Sequence, residues 1–331
     1  MLESLLSYGI WVGIVLIIVG FIGLIKGADW LVDGASAIAK RFGISDLVIG
    51  LTVVAFGTSM PEFVVNMISV ANGSTDLAIT NILGSNIINT FVILGLTAAI
   101  YPIATQKRSR DFDVPMSILA GGMVFAFIML RPLVLGKPEG IDYIGGIVLL
   151  VIFIYFLYNT FRHAKDHPDE AGVEEVNVKP ISLMQSIILI IVGLLGLVIG
   201  GELIVKSAVN IATRLGVSEA IIGLTIVALG TSLPELATSV IAAYKHNSDI
   251  AVGNVFGSNI FNVFFILGTS AIINPLPAYA GIELDASMAA LGGVITWLVI
   301  KGNRERKVTR WGGVILLVVY AGYLTYRLLM V

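Results

Sequence analysis

The sequence predicts an all-α integral membrane fold of ten transmembrane helices, arranged as two five-helix repeats inserted in opposite directions. Three observations carry this expectation. Apolar residues make up 57% of the 331 positions and charged ones only 13%, with a mean hydropathy of +0.96; a water-soluble domain needs more polar surface than that. Apolar runs long enough to cross a hydrocarbon core, about 17–25 residues each, recur along the whole chain. The chain also repeats itself at a fixed offset of 173 residues.

The predicted spans are 8–26, 48–71, 78–101, 113–133, 141–161, 183–205, 219–244, 250–273, 281–300 and 310–330. Only Glu3 precedes the first run and no basic residue does, so it reads as a helix and not as a cleaved signal peptide. Residues 1–161 form the first repeat and 183–331 the second. Between them, 162–182 is the one substantial hydrophilic stretch. Its acids, Asp166, Asp169, Glu170, Glu174 and Glu175, lack EF-hand spacing and read as a solvated linker.

Charge sets the expected orientation. Of the 20 basic residues, only Arg131, Lys137, Lys206, Arg214 and Arg327 fall on one side of a ten-span arrangement. The positive-inside bias then places the 162–182 linker in the cytoplasm and both termini outside a cell membrane crossed many times. Trp11, Trp30, Trp297 and Trp311 sit near predicted span ends, as interface anchors do.

The repeat is strongest in two places. Gly50-Leu-Thr-Val-Val-Ala-Phe-Gly-Thr-Ser-Met-Pro-Glu62 lies on Gly223-Leu-Thr-Ile-Val-Ala-Leu-Gly-Thr-Ser-Leu-Pro-Glu235, with ten of 13 positions identical. The same offset lays Asn81-Ile-Leu-Gly-Ser-Asn-Ile-Ile-Asn89 on Asn254-Val-Phe-Gly-Ser-Asn-Ile-Phe-Asn262, with six of nine identical. It also pairs Gly20, Gly23 and Gly27 with Gly193, Gly196 and Gly200, and Gly43 with Gly216. Each half holds an odd number of spans, so the second must enter the membrane upside down. Inverted repeats of this kind place a substrate site at the midplane, where the halves meet.

Glu62 and Glu235 are the candidates for that site. An ionisable group within a span costs several kcal/mol unless it is paired, hydrated or coordinated. Two facing carboxylates repel, and a divalent cation between them removes both penalties. Pro61 and Pro234 lack an N–H, which leaves the carbonyls of Gly57 and Gly230 without a helical partner. Thr58, Ser59, Thr231 and Ser232 add hydroxyls alongside. Carbonyl, hydroxyl and carboxylate oxygens are hard ligands suited to calcium and sodium. The spans that follow supply two polar stripes at four-residue spacing, Asn81, Ser85, Asn89 and Asn254, Ser258, Asn262. Gly84 and Gly257 allow close helix approach there. Asp29 and Glu202 are also repeat-equivalent and lie near predicted helix ends, as interfacial or gating residues.

Other chemistries are excluded. The chain has no cysteine, hence neither disulfides nor thiolate metal sites. Its three histidines, His163, His167 and His246, fall in predicted loops, and it contains neither a His-Glu-x-x-His nor a Walker lysine motif. A transporter, not an enzyme, is the expectation, with no cofactor, no nucleic acid and no protein partner required.

The duplicated Gly-Thr-Ser-x-Pro-Glu motif resembles the calcium/cation antiporter superfamily, whose two alpha repeats carry such segments, and within it the prokaryotic sodium/calcium exchanger branch. The resemblance covers nearly the whole chain. It implies secondary active exchange of calcium for sodium by alternating access, with the lipid bilayer as surroundings. Proton/calcium exchangers typically carry Gly-Asn-x-x-Glu at that place, which this chain lacks; proton coupling stays open as the alternative, as do manganese and magnesium as the divalent ion. By resemblance, Glu62, Glu235 and the carbonyls of Thr58 and Thr231 hold calcium. Ser59, Ser85, Ser232, Ser258 and the carbonyls of Ala55 and Ala228 match the sodium sites. Asn89 and Asn262 match the midpoint positions between them. Several relatives carry aspartate where this chain has Asn262, which limits the site to two carboxylates and argues against potassium co-transport. The glycine-rich first and sixth spans are the expected moving parts.

Overall fold

The structure, a computed structural model, describes residues 9–136, 140–166, 181–217, 222, 226, 228–279 and 281–329. Helices α1 (Ile10–Phe42), α2 (Asp46–Thr58), α3 (Met60–Ala71), α4 (Thr75–Ile100), α5 (Ser109–Val134) and α6 (Tyr143–Asp166) make the first half. The second half contains α7 (Leu183–Arg214), the short α8 (Ala228–Gly230), α9 (Leu233–Tyr244), α10 (Ser248–Ile273), α11 (Ile282–Gly302) and α12 (Arg310–Leu329). Among the described residues, eight helices are long and apolar enough to cross a membrane, and α2 with α3 forms a ninth span bent by 45°. The span predicted at 219–244 lies partly outside the described residues; its second part is α9. The linker acids Asp169, Glu170, Glu174 and Glu175, and His167, also lie outside them.

Three boundaries need correction. Helix α1 runs 33 residues and α7 runs 32, well past the predicted ends at 26 and 205. At about 1.5 Å per residue they measure close to 50 Å, longer than a hydrocarbon core of about 30 Å, so they tilt or protrude. Charges interrupt the apolar run after Lys26, but nothing there breaks a helix. The stop comes at Gly43, whose φ of 63° caps α1, and at its repeat mate Gly216, φ 78°. Asp29, Trp30 and Glu202 are consequently mid-helix, not at helix ends. Helix α6 likewise runs past the predicted span end at 161, continuing to Asp166 with an Arg162–Asp166 contact of 3.5 Å, which puts His163 in its last turn.

Helices α1 and α7 run antiparallel along a glycine seam. A methyl group built at Gly27 would come within 2.7 Å of the Gly193 carbonyl oxygen, and one at Gly200 within 2.6 Å of that of Gly20. These two contacts are images of each other under the 173-residue offset, as a twofold axis between inverted halves requires. The strands repeat the relation. β1 (Ile103–Ala104) pairs antiparallel with β4 (Lys307–Val308), and β2 (Gly140–Ile141) with β3 (Leu276–Pro277). β1 and β3 are 173 residues apart, and each reaches across to a loop of the other half.

The core is formed by α10 and α4. In their most apolar stretches 94% and 78% of residues are buried, against 22% for α1. Close approach makes this possible: a methyl at Gly253 would fall 2.8 Å from the Leu47 carbonyl of α2. On the outer helices, side chains such as Trp11, Ile22, Ile154, Ile199 and Val318 are exposed and apolar, a surface that a bilayer solvates and water does not. The protein is a multi-pass membrane protein.

Candidate functional site

Each glutamate sits just past a break in its helix. Helix α2 stops at Thr58, Ser59 leaves helical geometry (φ −83°, ψ 5°), and α3 begins at Met60 with Glu62 in its first turn. The second half repeats this with Ser232 at φ −87°, ψ 3°, and Glu235 in the first turn of α9. Pro61 and Pro234 lie in the first two positions of α3 and α9, where a missing N–H costs nothing. The expected proline kink is therefore a break two residues earlier, which is a correction in position. It also places both carboxylates at helix N-termini, where the backbone dipole favours negative charge.

The breaks bring the carboxylates together. Both glutamates are fully buried. The Ser59 hydroxyl donates to Glu235 Oε1 at 2.9 Å, reaching across the halves, and Ser85 donates to Glu62 Oε1 at 3.4 Å. Glu62 Oε2 and Glu235 Oε2 have no hydrogen-bond partner. Thr231 faces Glu62 and Ser258 faces Glu235, each without a hydrogen bond of ordinary geometry, and Ser232 Oγ, Asn262 Oδ1 and both amide atoms of Asn89 have no partner. Buried polar atoms are nearly always paired, so unpaired oxygens gathered with two carboxylates are free to coordinate a hard cation. Ala55 precedes the break, its carbonyl accepting the Ser59 N–H at 3.0 Å. Ala228 opens the matching turn, α8. Among the described residues no group of three or more histidine, cysteine or acidic side chains gathers, so the charge here is that of two glutamates.

The polar stripes divide differently from their four-residue spacing. Asn89 and Asn262 lie on π-helical segments, Ile88–Ile93 and Phe261–Leu267. Such segments insert an extra residue per turn and shift side chains relative to a straight α-helix. Asn262 Nδ2 donates to Asn86 Oδ1 at 3.0 Å, Asn86 Nδ2 to the Asn259 carbonyl at 3.1 Å, and Asn259 Nδ2 to Thr90 Oγ1 at 2.8 Å. Asn86 and Asn259 are themselves repeat mates. The stripe reading missed them because they fall one residue off its spacing, although both lie inside the repeated Gly-Ser-Asn-Ile stretch. Asn254 also departs from the stripe, donating to the Glu235 carbonyl at 3.1 Å and to Ser239 Oγ at 2.9 Å.

Among the described residues, the two faces beside the site differ. A cavity of about 490 Å³ between α3 and α7 is lined by Pro61, Val64, Glu202, Val205, Lys206 and Thr231, among others. On the opposite face the matching space is filled. Ala28 and Val32 of α1 are buried in a cluster that Leu233, Ala237 and Ile241 of α9 pack against. Lys245 closes that face with contacts to Asp29 at 2.7 Å and Asp33 at 2.5 Å. Glu202, the mate of Asp29, pairs within its own helix, to Lys206 at 2.5 Å.

Known proteins share this plan. The family described as "Sodium/calcium exchanger protein" matches residues 12–162 and 185–329. The putative antiporter CaxA of Alkalimonas amylolytica is 38% identical over 94% of this chain and 97% of its own. The sodium/calcium exchanger MaX1 of Methanosarcina acetivorans is 30% identical over 95% and 98%. A solved structure of the sodium-calcium exchanger NCX_Mj, soaked with 2.5 mM Na+ and 10 mM Sr2+, superposes with a TM-score of 0.80 at 32% identity, covering 96% of this chain and 99% of that one.

Proposed function

This chain belongs to the sodium/calcium exchanger family of membrane cation exchangers, and on that premise we propose that it exchanges calcium for sodium at a site centred on Glu62 and Glu235. The observation that carries the reading is the pair of fully buried, repeat-equivalent carboxylates, each with one oxygen lacking a partner inside a ring of unpaired oxygens. One calcium ion neutralises both carboxylates. Sodium ions, drawn to the same oxygens, occupy the site in its place, and this competition lets one gradient drive the other.

In this reading the carbonyls of Thr58 and Thr231 complete the calcium ligands. Ser59, Ser85, Ser232, Ser258 and the carbonyls of Ala55 and Ala228 serve sodium. Asn89 and Asn262 line the midpoint between the glutamates. The functional units are repeats 1–161 and 183–331 joined by the cytoplasmic linker 162–182, with both termini outside. The cavity beside Lys206 then opens to the outside, and the face sealed by Lys245 is cytoplasmic.

The test is calcium-45 uptake into sealed proteoliposomes loaded with sodium and diluted into sodium-free buffer, with the membrane potential clamped. Uptake that needs the outward sodium gradient and ignores an imposed pH gradient is the expected result. Uptake that follows the pH gradient instead replaces sodium with protons as the counter-ion.

A further inference from the structure

The two halves repeat in sequence, with Asn66 in one where the other has Ser239, and their hydrogen bonding around one asparagine position differs. On the sealed face, Asn254 Nδ2 donates to the Glu235 carbonyl at 3.1 Å and to Ser239 Oγ at 2.9 Å, while its Oδ1 accepts from Thr58 Oγ1 at 3.0 Å. The amide orientation is fixed, because a backbone carbonyl only accepts; Thr58 must therefore be the donor. This cluster ties the end of α2, the start of α9 and the middle of α10 into one unit. Its parts come from both halves.

The 173-residue offset maps these groups onto Thr231, Asn81, the Glu62 carbonyl and Asn66. None of the mapped bonds between Thr231, Asn81 and Asn66 is made. Asn81 Nδ2 and Asn66 Oδ1 are buried without a partner, Thr231 Oγ1 faces the Glu62 side chain and not Asn81, and the Glu62 carbonyl accepts instead from Asn66 Nδ2 at 3.0 Å, one turn along its own helix. The broken cluster borders the 490 Å³ cavity, which Thr231 lines. The complete one lies behind the face where α1 packs on α9 and Lys245 holds Asp29 and Asp33. One cluster is complete where the protein is closed; its mate is open where the protein is open.

We propose that Asn254 and Asn81 are the paired latches of alternating access. Asn254 bonded to Thr58 and Ser239 holds the Lys245 face shut. Asn81 bonded to Thr231 and Asn66 holds the Lys206 face shut in the opposite state. Exchange of one set of bonds for the other keeps the cost of switching low, because polar groups orphaned in one state are paired in the next. This rests on the reading of Glu62 and Glu235 as the site to which both faces lead, but it concerns positioning residues and not ion ligands.

The natural absence of cysteine allows a direct test. Val205→Cys reports on the open cavity, and Val32→Cys, at its buried repeat mate, reports on the sealed face. Each is reacted in proteoliposomes and in detergent with a membrane-impermeant thiol reagent. Asn254→Ala is expected to raise Val32→Cys labelling by about a hundredfold, the population shift from losing three bonds that each contribute a factor of about five. Asn81→Ala is expected to do the reverse, lowering Val32→Cys labelling and raising that of Val205→Cys. If Asn254→Ala does not fold, Thr58→Val removes one bond of the same cluster and Thr58→Ser restores it. Labelling that moves the same way in both asparagine variants, or in neither, overturns the proposal. Calcium-45 uptake by the unmodified protein separates the two readings: latches that fail in a protein that transports calcium leave the function standing. Opposite labelling shifts in a protein that does not transport it uphold the latches and reject the function.

Discussion

Replacing Glu235 by glutamine removes one negative charge from the site and almost nothing else. The amide has the size and shape of the carboxylate, and its oxygen still accepts from Ser59, 2.9 Å away in the native protein. The site charge falls from that of two carboxylates to that of one. A bound calcium ion then leaves a net positive charge buried where no other acid gathers. Removing one partner from a buried ion pair costs about 3–5 kcal/mol, and each 1.4 kcal/mol is tenfold in affinity. Calcium binding is therefore expected to weaken by about two to three and a half orders of magnitude. A single sodium ion, by contrast, still finds a neutralising charge, so sodium should lose much less. The assay is titration calorimetry with calcium and with sodium on the purified protein, alongside calcium-45 uptake and a thermal-unfolding check. A calcium affinity within threefold of the native value in a folded variant would refute the reasoning. So would equal losses for calcium and sodium, since the argument depends on the charge of the ion.

The remaining predictions follow from the same geometry. Ser59→Ala removes one hydrogen bond to a charged group, worth about 1.5–3 kcal/mol, and should weaken calcium binding about ten- to hundredfold; no change means that Ser59 does not hold Glu235 in place. Asn262→Asp can keep the bond to Asn86 Oδ1, 3.0 Å away, only as a protonated acid, so uptake should lose or gain activity across a pH range where the native profile does not; superposable profiles would dismiss that bond. Gly27→Ala places a methyl group 2.7 Å from a carbonyl across the α1–α7 seam, whereas at Gly23 the nearest atom is 3.3 Å away. The first should lower the melting temperature in detergent clearly more than the second; equal effects would mean that the seam yields freely. Asp285 accepts from Tyr279 at 2.6 Å and Tyr323 at 2.8 Å and faces Arg327 at 3.4 Å. Asp285→Asn should destabilise the protein by about 1.5–3 kcal/mol, read as a lower melting temperature with calcium affinity unchanged.

Much of this molecule was legible beforehand because the membrane restricts what a chain can do. Backbone groups in hydrocarbon must bond internally, so apolar runs become helices with little ambiguity. Buried acids are costly enough to stand out at once, which is why Glu62 and Glu235 were visible without any structure. Errors arose where charge and helix geometry part company. Lys26, Asp29 and Asp33 end an apolar run but not a helix, and α1 continues to Gly43. Likewise, Pro61 looks like an internal kink, yet it opens a new helix after the break at Ser59.

Residue order alone showed where apolar spans lie, though not where all of them end, together with the duplication and the side chains the duplicated segments hold in common, because hydropathy and identity are local properties of the chain. Only the tertiary structure decided which equivalent groups actually meet. Ser59 bonds Glu235 while Ser232, its mate, has no partner; Asn254 is fully bonded while Asn81 is not. In the proposed site the two halves form opposite sides, and a site open to one side at a time cannot have its halves in the same conformation. That asymmetry lies in the packing of α1 on α9 and the gap between α3 and α7; the chain favours it only where the repeat is broken, as at Lys245, whose mate is Asn72, and Asp33, whose mate is Lys206, and only the fold shows that these two differences meet at one face.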